Sequence, residues 1–174
     1  MYHLDVINQM SGTRLRNYIL PGLDSVLLEQ GKLRLFESSR DTEEFIVPHS
    51  HRFDFACLVL EGVVTNKKYV PVSHEEAFAD MYTMTTLKYE GQPGSYSPQT
   101  SCENKRFRVN THAYQQGDWY SMSYEEIHSI SFRRNTKVLF LEGPERSTKT
   151  VILEPFVNGK KVPTFKVEEW MFQI

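Results

Sequence analysis

The sequence predicts an all-β fold, a sandwich or a barrel, and two observations carry the prediction. From Ser25 onward the chain is a succession of short runs rich in Val, Ile, Leu, Phe, Tyr and Thr. Turn residues separate them at Gln30-Gly31, Gly91 to Gly94, Gln116-Gly117 and Asn158-Gly159. The strand candidates, in order, are 32–37, 43–47, 53–60, 63–70, 80–89, 105–114, 118–122, 127–133, 137–142 and 149–156. Ahead of them, Leu4, Ile7, Met10, Leu15 and Ile19 follow an uneven helical spacing broken at Ser11-Gly12, which predicts an N-terminal helical arm. A short helix or a last strand is expected over Val167 to Phe172.

Length and composition fit one domain over residues 1–174. A chain of 174 residues can bury about 70% of the surface its unfolded form exposes. Its 40% hydrophobic and 13% aromatic content is enough apolar surface to offset the ordering entropy. No repeat or Pro/Ser-rich linker divides it. The barrel core is expected over about 31–154, and the stretch 71–104, with His74-Glu75-Glu76 and the Gly-Gln-Pro-Gly turn, is expected to be an inserted hairpin or flap.

Charge and cysteine usage exclude several classes. Twenty Lys and Arg against 22 Asp and Glu leave a net charge of -2, no whole-chain case for nucleic acid or an anionic membrane. Basic residues near 104–108, 133–134 and 160–161 are scattered, without the aromatic interleaving that single strands require. Cys57 and Cys102 are the two cysteines, too few for a disulfide scaffold or a multi-Cys zinc module. The segment from Met1 to Asn8 contains Asp5 and lacks an export-signal core. The longest apolar run, Phe55 to Leu60, is too short to span a bilayer. The expected location is cytoplasmic.

Chemistry concentrates in two segments. In Pro48-His49-Ser50-His51, strand alternation places His49, His51, Phe53, Phe55, Cys57 and Val59 on one face. Two imidazoles then point the same way, as two ligands of one metal ion would. The second segment runs from Gly117-Asp118-Trp119-Tyr120 to His128, where His128, Ile130 and Phe132 share a face, so a third imidazole can reach the same lumen. On a solvent face the pair would be no more than a polar dipeptide. Three imidazoles buried without metal or hydrogen bonds would each cost about 1–3 kcal/mol.

These residues resemble the cupin superfamily, small β-barrels with the motifs G(X)5HXH(X)3-4E(X)6G and G(X)5PXG(X)2H(X)3N. His49, His51 and Gly62 fall on the first pattern, Gly117 and His128 on the second. Glu43 stands in the slot of the first Gly, Phe55 replaces the metal-binding Glu, Ser123 and Glu125 replace Pro and Gly, and Phe132 replaces Asn. The resemblance implies a double-stranded β-helix, or jelly-roll, barrel with a metal held by His49, His51 and His128. Without the carboxylate the set looks like that of the thiol dioxygenases, which implies Fe(II); three imidazoles also accept Ni, Mn, Cu or Zn. Glu126, sharing strand parity with His128, is an alternative fourth ligand. The implied function is a mononuclear non-haem iron dioxygenase acting on a small polar molecule. The alternative is a non-catalytic cupin that binds a small metabolite, sugar or nucleotide. A homodimer is expected because cupins pair through their outer sheets.

Other positions are weaker candidates. Tyr120, or an arginine such as Arg108, would orient substrate. Arg108 belongs to the alternating row Arg106, Arg108, Asn110, His112 and Tyr114, which binds an anion if it faces a cavity and is only a polar surface if it faces water. Arg34, Tyr69, Tyr82 and Tyr120 are further candidate lumen groups. Cys57 is either a thiol beside the site or a small core hydrophobe.

Overall fold

The computed structural model describes residues 12–18, 21–28, 32–42, 47–73, 78–92 and 95–161. Its strands are β1 (Gly12–Leu15), β2 (Leu23–Leu28), β3 (Leu33–Ser38), β4 (Phe53–Glu61), β5 (Val63–Pro71) and β6 (Asp80–Tyr89). They continue with β7 (Tyr96–Gln115), β8 (Trp119–Met122), β9 (Ile127–Phe132), β10 (Lys137–Glu145), β11 (Lys149–Val157) and β12 (Lys160–Lys161). Two antiparallel six-stranded sheets result, ordered β1-β2-β3-β10-β4-β8 and β12-β11-β6-β7-β5-β9. There is no helix among the described residues.

The chain passes between the sheets at tight turns. Gly62 (φ 75°) leads from β4 to β5, and a Cβ there would meet Thr136 Oγ1 at 2.5 Å, so only glycine fits. Thr136 Oγ1 in turn accepts from Val63 N and donates to Val63 O, both at 3.1 Å. Gly117 (φ 91°) returns the chain from β7 to β8, and Asp118 secures that turn by accepting from Gln115 N at 2.8 Å. Both motif glycines therefore mark sheet crossings.

The second sheet closes on itself. His49 bridges His128 on one side and Ile152 on the other. His49 N donates to His128 O and His128 N to His49 O at 2.9 Å each, while Ser50 N donates to Val151 O at 2.9 Å and Leu153 N to Pro48 O at 2.8 Å. The segment 48–50 thus joins β9 to β11 and completes a ring with β5, β7 and β6.

Alternation along the strands sorts the apolar residues into separate cores. Phe55, Cys57 and Val59 of β4 face Val64, Phe132, Val138 and Phe140 between the sheets. Tyr69, Phe107 and Leu153 occupy the other face of the ring, with Tyr82, Met84 and Val109 against them. A third cluster, Val26, Leu28 and Leu35, lies on the outer face of the first sheet.

Two expectations are corrected. The predicted N-terminal arm is a strand where it is described: β1 pairs β2 from Gly12↔Leu28 to Leu15↔Ser25. Arg14 fixes the strand through Glu37 (2.7 Å) and Asp24 (3.3 Å), and Gly12 lies where any Cβ would strike Leu27 O at 2.3 Å. An irregular apolar spacing is a weak helix signal, and pairing with an adjacent strand outweighs it. Residues 4–11 and Ile19 of the arm, most of the 43–47 strand and the short helix or last strand expected over 167–172 lie outside the described residues.

The second correction concerns β7, twenty residues long instead of the predicted 105–114. Its first half, Tyr96 onward, is a polar run with Pro98 that carries no strand signal. Pairing with β6 holds it, with a register shift between Thr85 and Leu87 where Leu87 faces Pro98, the kind of irregularity that accommodates a proline in a sheet. The described residues between 71 and 104 hold the end of β5, β6 and the first half of β7, and β6 and β7 pair as a hairpin within the ring.

Candidate metal centre

His49 and His51 stand in the segment just before β4, where the bridge from His49 to both β9 and β11 sets the backbone. His128, on β9, completes the group. The ligand-capable atoms of the three imidazoles lie within 4.8 Å of one another, and the ring centroids are 4.8 to 5.1 Å apart. His51 Nε2 and His128 Nε2 are 2.9 Å apart. Two nitrogens at right angles on an ion with bonds of about 2.1 Å would be about 3 Å apart, so this pair already has the spacing of adjacent ligands.

Backbone and side-chain partners settle which nitrogen each ring presents. His49 Nδ1 donates to Val47 O at 2.9 Å, so Nε2 is its ligand-capable nitrogen. His128 Nδ1 donates to Asn66 Oδ1 at 3.0 Å, and Asn66 Nδ2 donates to Met122 Sδ at 3.2 Å. Asn66 is fully buried on β5. Such an outer partner fixes the tautomer and orientation of an imidazole ligand. With its Nδ1 protonated, His128 Nε2 accepts from His51 Nε2, an assignment that follows from the network.

Burial holds all three imidazoles below their ordinary pKa. For His49 desolvation is the cause, opposed by its bond to Val47. For His51 desolvation leads, followed by the charges of His49 and His128; for His128 it leads, followed by His49 and Lys68. Neutral imidazole is the form a divalent ion requires. The sign for stability follows. Between the depressed folded values and about 6.5 the unfolded chain binds more protons, so stability is highest above pH 6.5 and falls as the pH drops below it. Urea melts of chelator-treated protein are expected to lose up to about 1.4 kcal/mol per pH unit for each imidazole. A midpoint constant from pH 7.5 to 5 would show that the rings are solvated.

The imidazoles open onto a cavity of about 360 Å³. Phe36, Phe53, Phe55, Phe132 and Phe140 line it together with Tyr18, Tyr89, Tyr96 and Tyr120. Phe55 packs edge-on against His51 at 4.8 Å and lies 5.6 Å from His128. The residue that replaces the motif carboxylate is therefore a hydrocarbon wall beside the trio.

Each remaining candidate has a definite place. Tyr120 lines the cavity, stacks on Tyr114 at 4.5 Å, and has the Cys57 thiol as its polar neighbour, although its hydroxyl makes no well-formed hydrogen bond. Burial pushes the Cys57 thiol up to about 12, against a lowering contact from Tyr120, and raises Tyr120 well above 10. Both are protonated at neutral pH, so Cys57 is no thiolate nucleophile. Arg34 lines the cavity; Tyr69 and Tyr82 belong to the ring core instead. Arg108 is exposed on β7 and is not among the residues lining the cavity. In the same row Tyr114 packs inward and His112 is exposed. Glu126 bonds Lys68 at 2.8 Å and Ser123 N at 2.8 Å, away from the cavity lining, which removes it as a fourth ligand.

No family model matches the chain, and no curated protein matches it. Solved structures do. The cupin domain of Drosophila melanogaster CENP-C is 11% identical, with 78% of this chain and 77% of that one covered and a TM-score of 0.42. The chain is similar to cupin domains. Hydroxypropylphosphonic acid epoxidase from S. wedmorenis is 10% identical over 82% of this chain and 55% of its own, with a TM-score of 0.39. A hydroquinone 1,2-dioxygenase solved with Cd2+ and 4-hydroxybenzonitrile is 10% identical over 69% and 62%, at 0.36. The chain spans little more than half the length of these two enzymes. The cupin-like barrel takes its functional reading from its own imidazoles and cavity.

Asn66, Arg52, Glu142 and the tyrosines Tyr18, Tyr89 and Tyr96 are site residues absent from the sequence reading. Only Asn66 had a signal there: an amide in the middle of the β-rich run Val63 to Val70, where asparagine is disfavoured unless its side chain has a task. No helix among the described residues is long and apolar enough to cross a membrane.

Proposed function

We propose that this chain is a metal-dependent cupin, a mononuclear non-haem iron dioxygenase acting on a small polar molecule. One observation supports it above the others: three imidazoles, two buried and one half-buried and all held below their ordinary pKa, converge, with no carboxylate among them, on an aromatic-walled cavity of small-molecule size. His49, His51 and His128 would hold the ion. When bound, iron(II) would supply a Lewis acid and a redox couple for dioxygen chemistry. Phe53 and Phe55 exclude water from that face, and the protonated Tyr120 hydroxyl is a hydrogen-bond donor for a substrate oxygen.

Elemental analysis of the native protein is expected to find close to one divalent ion per chain. Anaerobic loading with iron followed by exposure to small thiols and diketones is expected to give oxygen uptake. Bound iron with no uptake across the panel would leave the second reading, a binder of small metabolites, sugars or nucleotides. The degraded second motif, with Ser123, Glu125 and Phe132 in the slots of Pro, Gly and Asn, is the observation that favours that reading. No ion at all would overturn the metal assignment itself.

Asn66 offers a finer check. Asn66→Leu, which removes the acceptor at His128 Nδ1, is expected to weaken ion binding about 10–100-fold. Asn66→Asp keeps an acceptor there and is expected to retain the affinity, both measured by competition with a chromophoric chelator. Equal affinities in Asn66→Leu and the parent protein would show that the amide does not orient the ring.

A further inference from the structure

The cavity has a charge pattern that the imidazoles do not explain. Its charged lining residues among those described are Arg34, Arg52 and Glu142. Arg52 is committed: it is ion-paired with Glu145 and lies 3.6 Å over the Tyr89 ring. Arg34 and Glu142 are both half-buried, and neither side chain makes a hydrogen bond or ion pair with another of the described residues. The contact recorded for Arg34 is the Tyr18 ring, 5.5 Å from its guanidinium carbon. The main-chain N of Glu142 donates to Lys32 O at 2.9 Å.

The sheet makes the two residues diagonal neighbours on one face. Arg34 on β3 is in register with Phe140 on β10, and Glu142 lies two residues further along the same face. The backbones of such diagonal neighbours stand about 7–8 Å apart, within reach of long side chains. The two charged ends form no ion pair with each other, so one small molecule lying between them can touch both. Tyr18 lines the same cavity beside Arg34, and burial raises its phenol, with the charge of Arg34 lowering it and that of Glu142 raising it.

We propose that Arg34 and Glu142 bind the carboxylate and the ammonium of a zwitterionic ligand, an α-amino acid whose apolar or aromatic side chain lies against the phenylalanine and tyrosine wall. It rests on the reading of this cavity as the ligand site, and not on the ion. The couple is neutral in sum. A simple anion would be drawn to Arg34 and repelled by Glu142, a simple cation the reverse, and only a molecule carrying both charges satisfies both. The planar guanidinium suits a carboxylate in bidentate contact. The volume of about 360 Å³ lies at the lower end of small-molecule sites, roughly 300–1,000 Å³, the scale of a single amino acid.

Calorimetric titration of chelator-treated and iron-loaded full-length protein tests this with three probes: L-phenylalanine, 3-phenylpropionate without the ammonium, and 2-phenylethylamine without the carboxylate. Phenylalanine is expected to bind at least about tenfold more tightly than either truncated probe. Arg34→Gln is expected to erase its margin over phenylethylamine, and Glu142→Gln its margin over phenylpropionate. Equal affinity for all three probes, binding of none, or margins unchanged in folded variants would overturn the proposal. The ranking in the parent protein decides by itself if a variant does not fold. Ion binding without phenylalanine binding sinks this proposal alone; phenylalanine binding without ion binding supports it and sinks the metal reading.

Discussion

Replacing His128 with alanine is expected to lower divalent-ion affinity by about a hundredfold or more and to abolish iron-dependent oxygen uptake. Loss of an outer partner of a ligand alone costs about 10–100-fold, and His128 is in position to be a ligand itself. Its ring is 3% exposed, its Nδ1 is held by Asn66, and its Nε2 is the atom that meets His51 at 2.9 Å. Removing it leaves two imidazoles from a single loop, which cannot enclose an ion from opposite sides of the cavity. It also strands the Asn66 carbonyl, so a stability loss of about 1–3 kcal/mol should accompany the change. Glu126→Gln is the matched control: two residues away in sequence, but paired with Lys68 and facing elsewhere, it should leave ion affinity unchanged. Anaerobic titration with iron(II) separates the two variants. An unchanged affinity in His128→Ala would remove the ion from this cavity.

The imidazole trio was legible because strand parity and glycine turns are local properties. His49, His51, Phe55 and Cys57 alternate toward one face with a period of two, and Gly62 and Gly117 have backbone angles that glycine adopts freely. The bridge that makes the trio converge was not legible. It depends on His49 lying between β9 and β11, a contact across more than seventy residues that no window of sequence contains. Arg34 and Tyr120 line the cavity, but their place in a strand did not single them out, since Tyr69 and Tyr82 carry the same signal and belong to the ring core, whereas Glu142 was hidden by the register between β10 and β4, where it faces Phe55. Arg108 was attractive for its alternating row, but alternation only separates two faces and does not say which one has a cavity in front of it. The N-terminal arm failed for a related reason: apolar spacing over so few residues says less than the strand waiting beside it.

Two cores on opposite faces of the same strands predict that stability and site chemistry can be separated. On β5, Val64 and Asn66 point toward the imidazoles, while Tyr69 points into the ring, where it meets Tyr82 edge-on at 5.6 Å. Phe107 is the largest wholly enclosed side chain of that ring core, 1% exposed and 5.9 Å from the Tyr82 ring. Phe107→Ala deletes a ring in a ladder-bound site that cannot collapse, because β5 and β6 on either side hold β7 in register. The expected loss is about 3–5 kcal/mol, a large share of the roughly 5–15 kcal/mol that stabilises a typical domain, read as a shift of the urea midpoint at constant slope. In the fraction that remains folded, ion affinity should stay within about threefold of the parent, since none of the three imidazoles belongs to this core cluster. A stability loss under about 1 kcal/mol would mean that the ring interior is loosely packed. A parallel fall in ion affinity would mean that closure of the ring through His49, and not the inter-sheet core, is what holds the three imidazoles together.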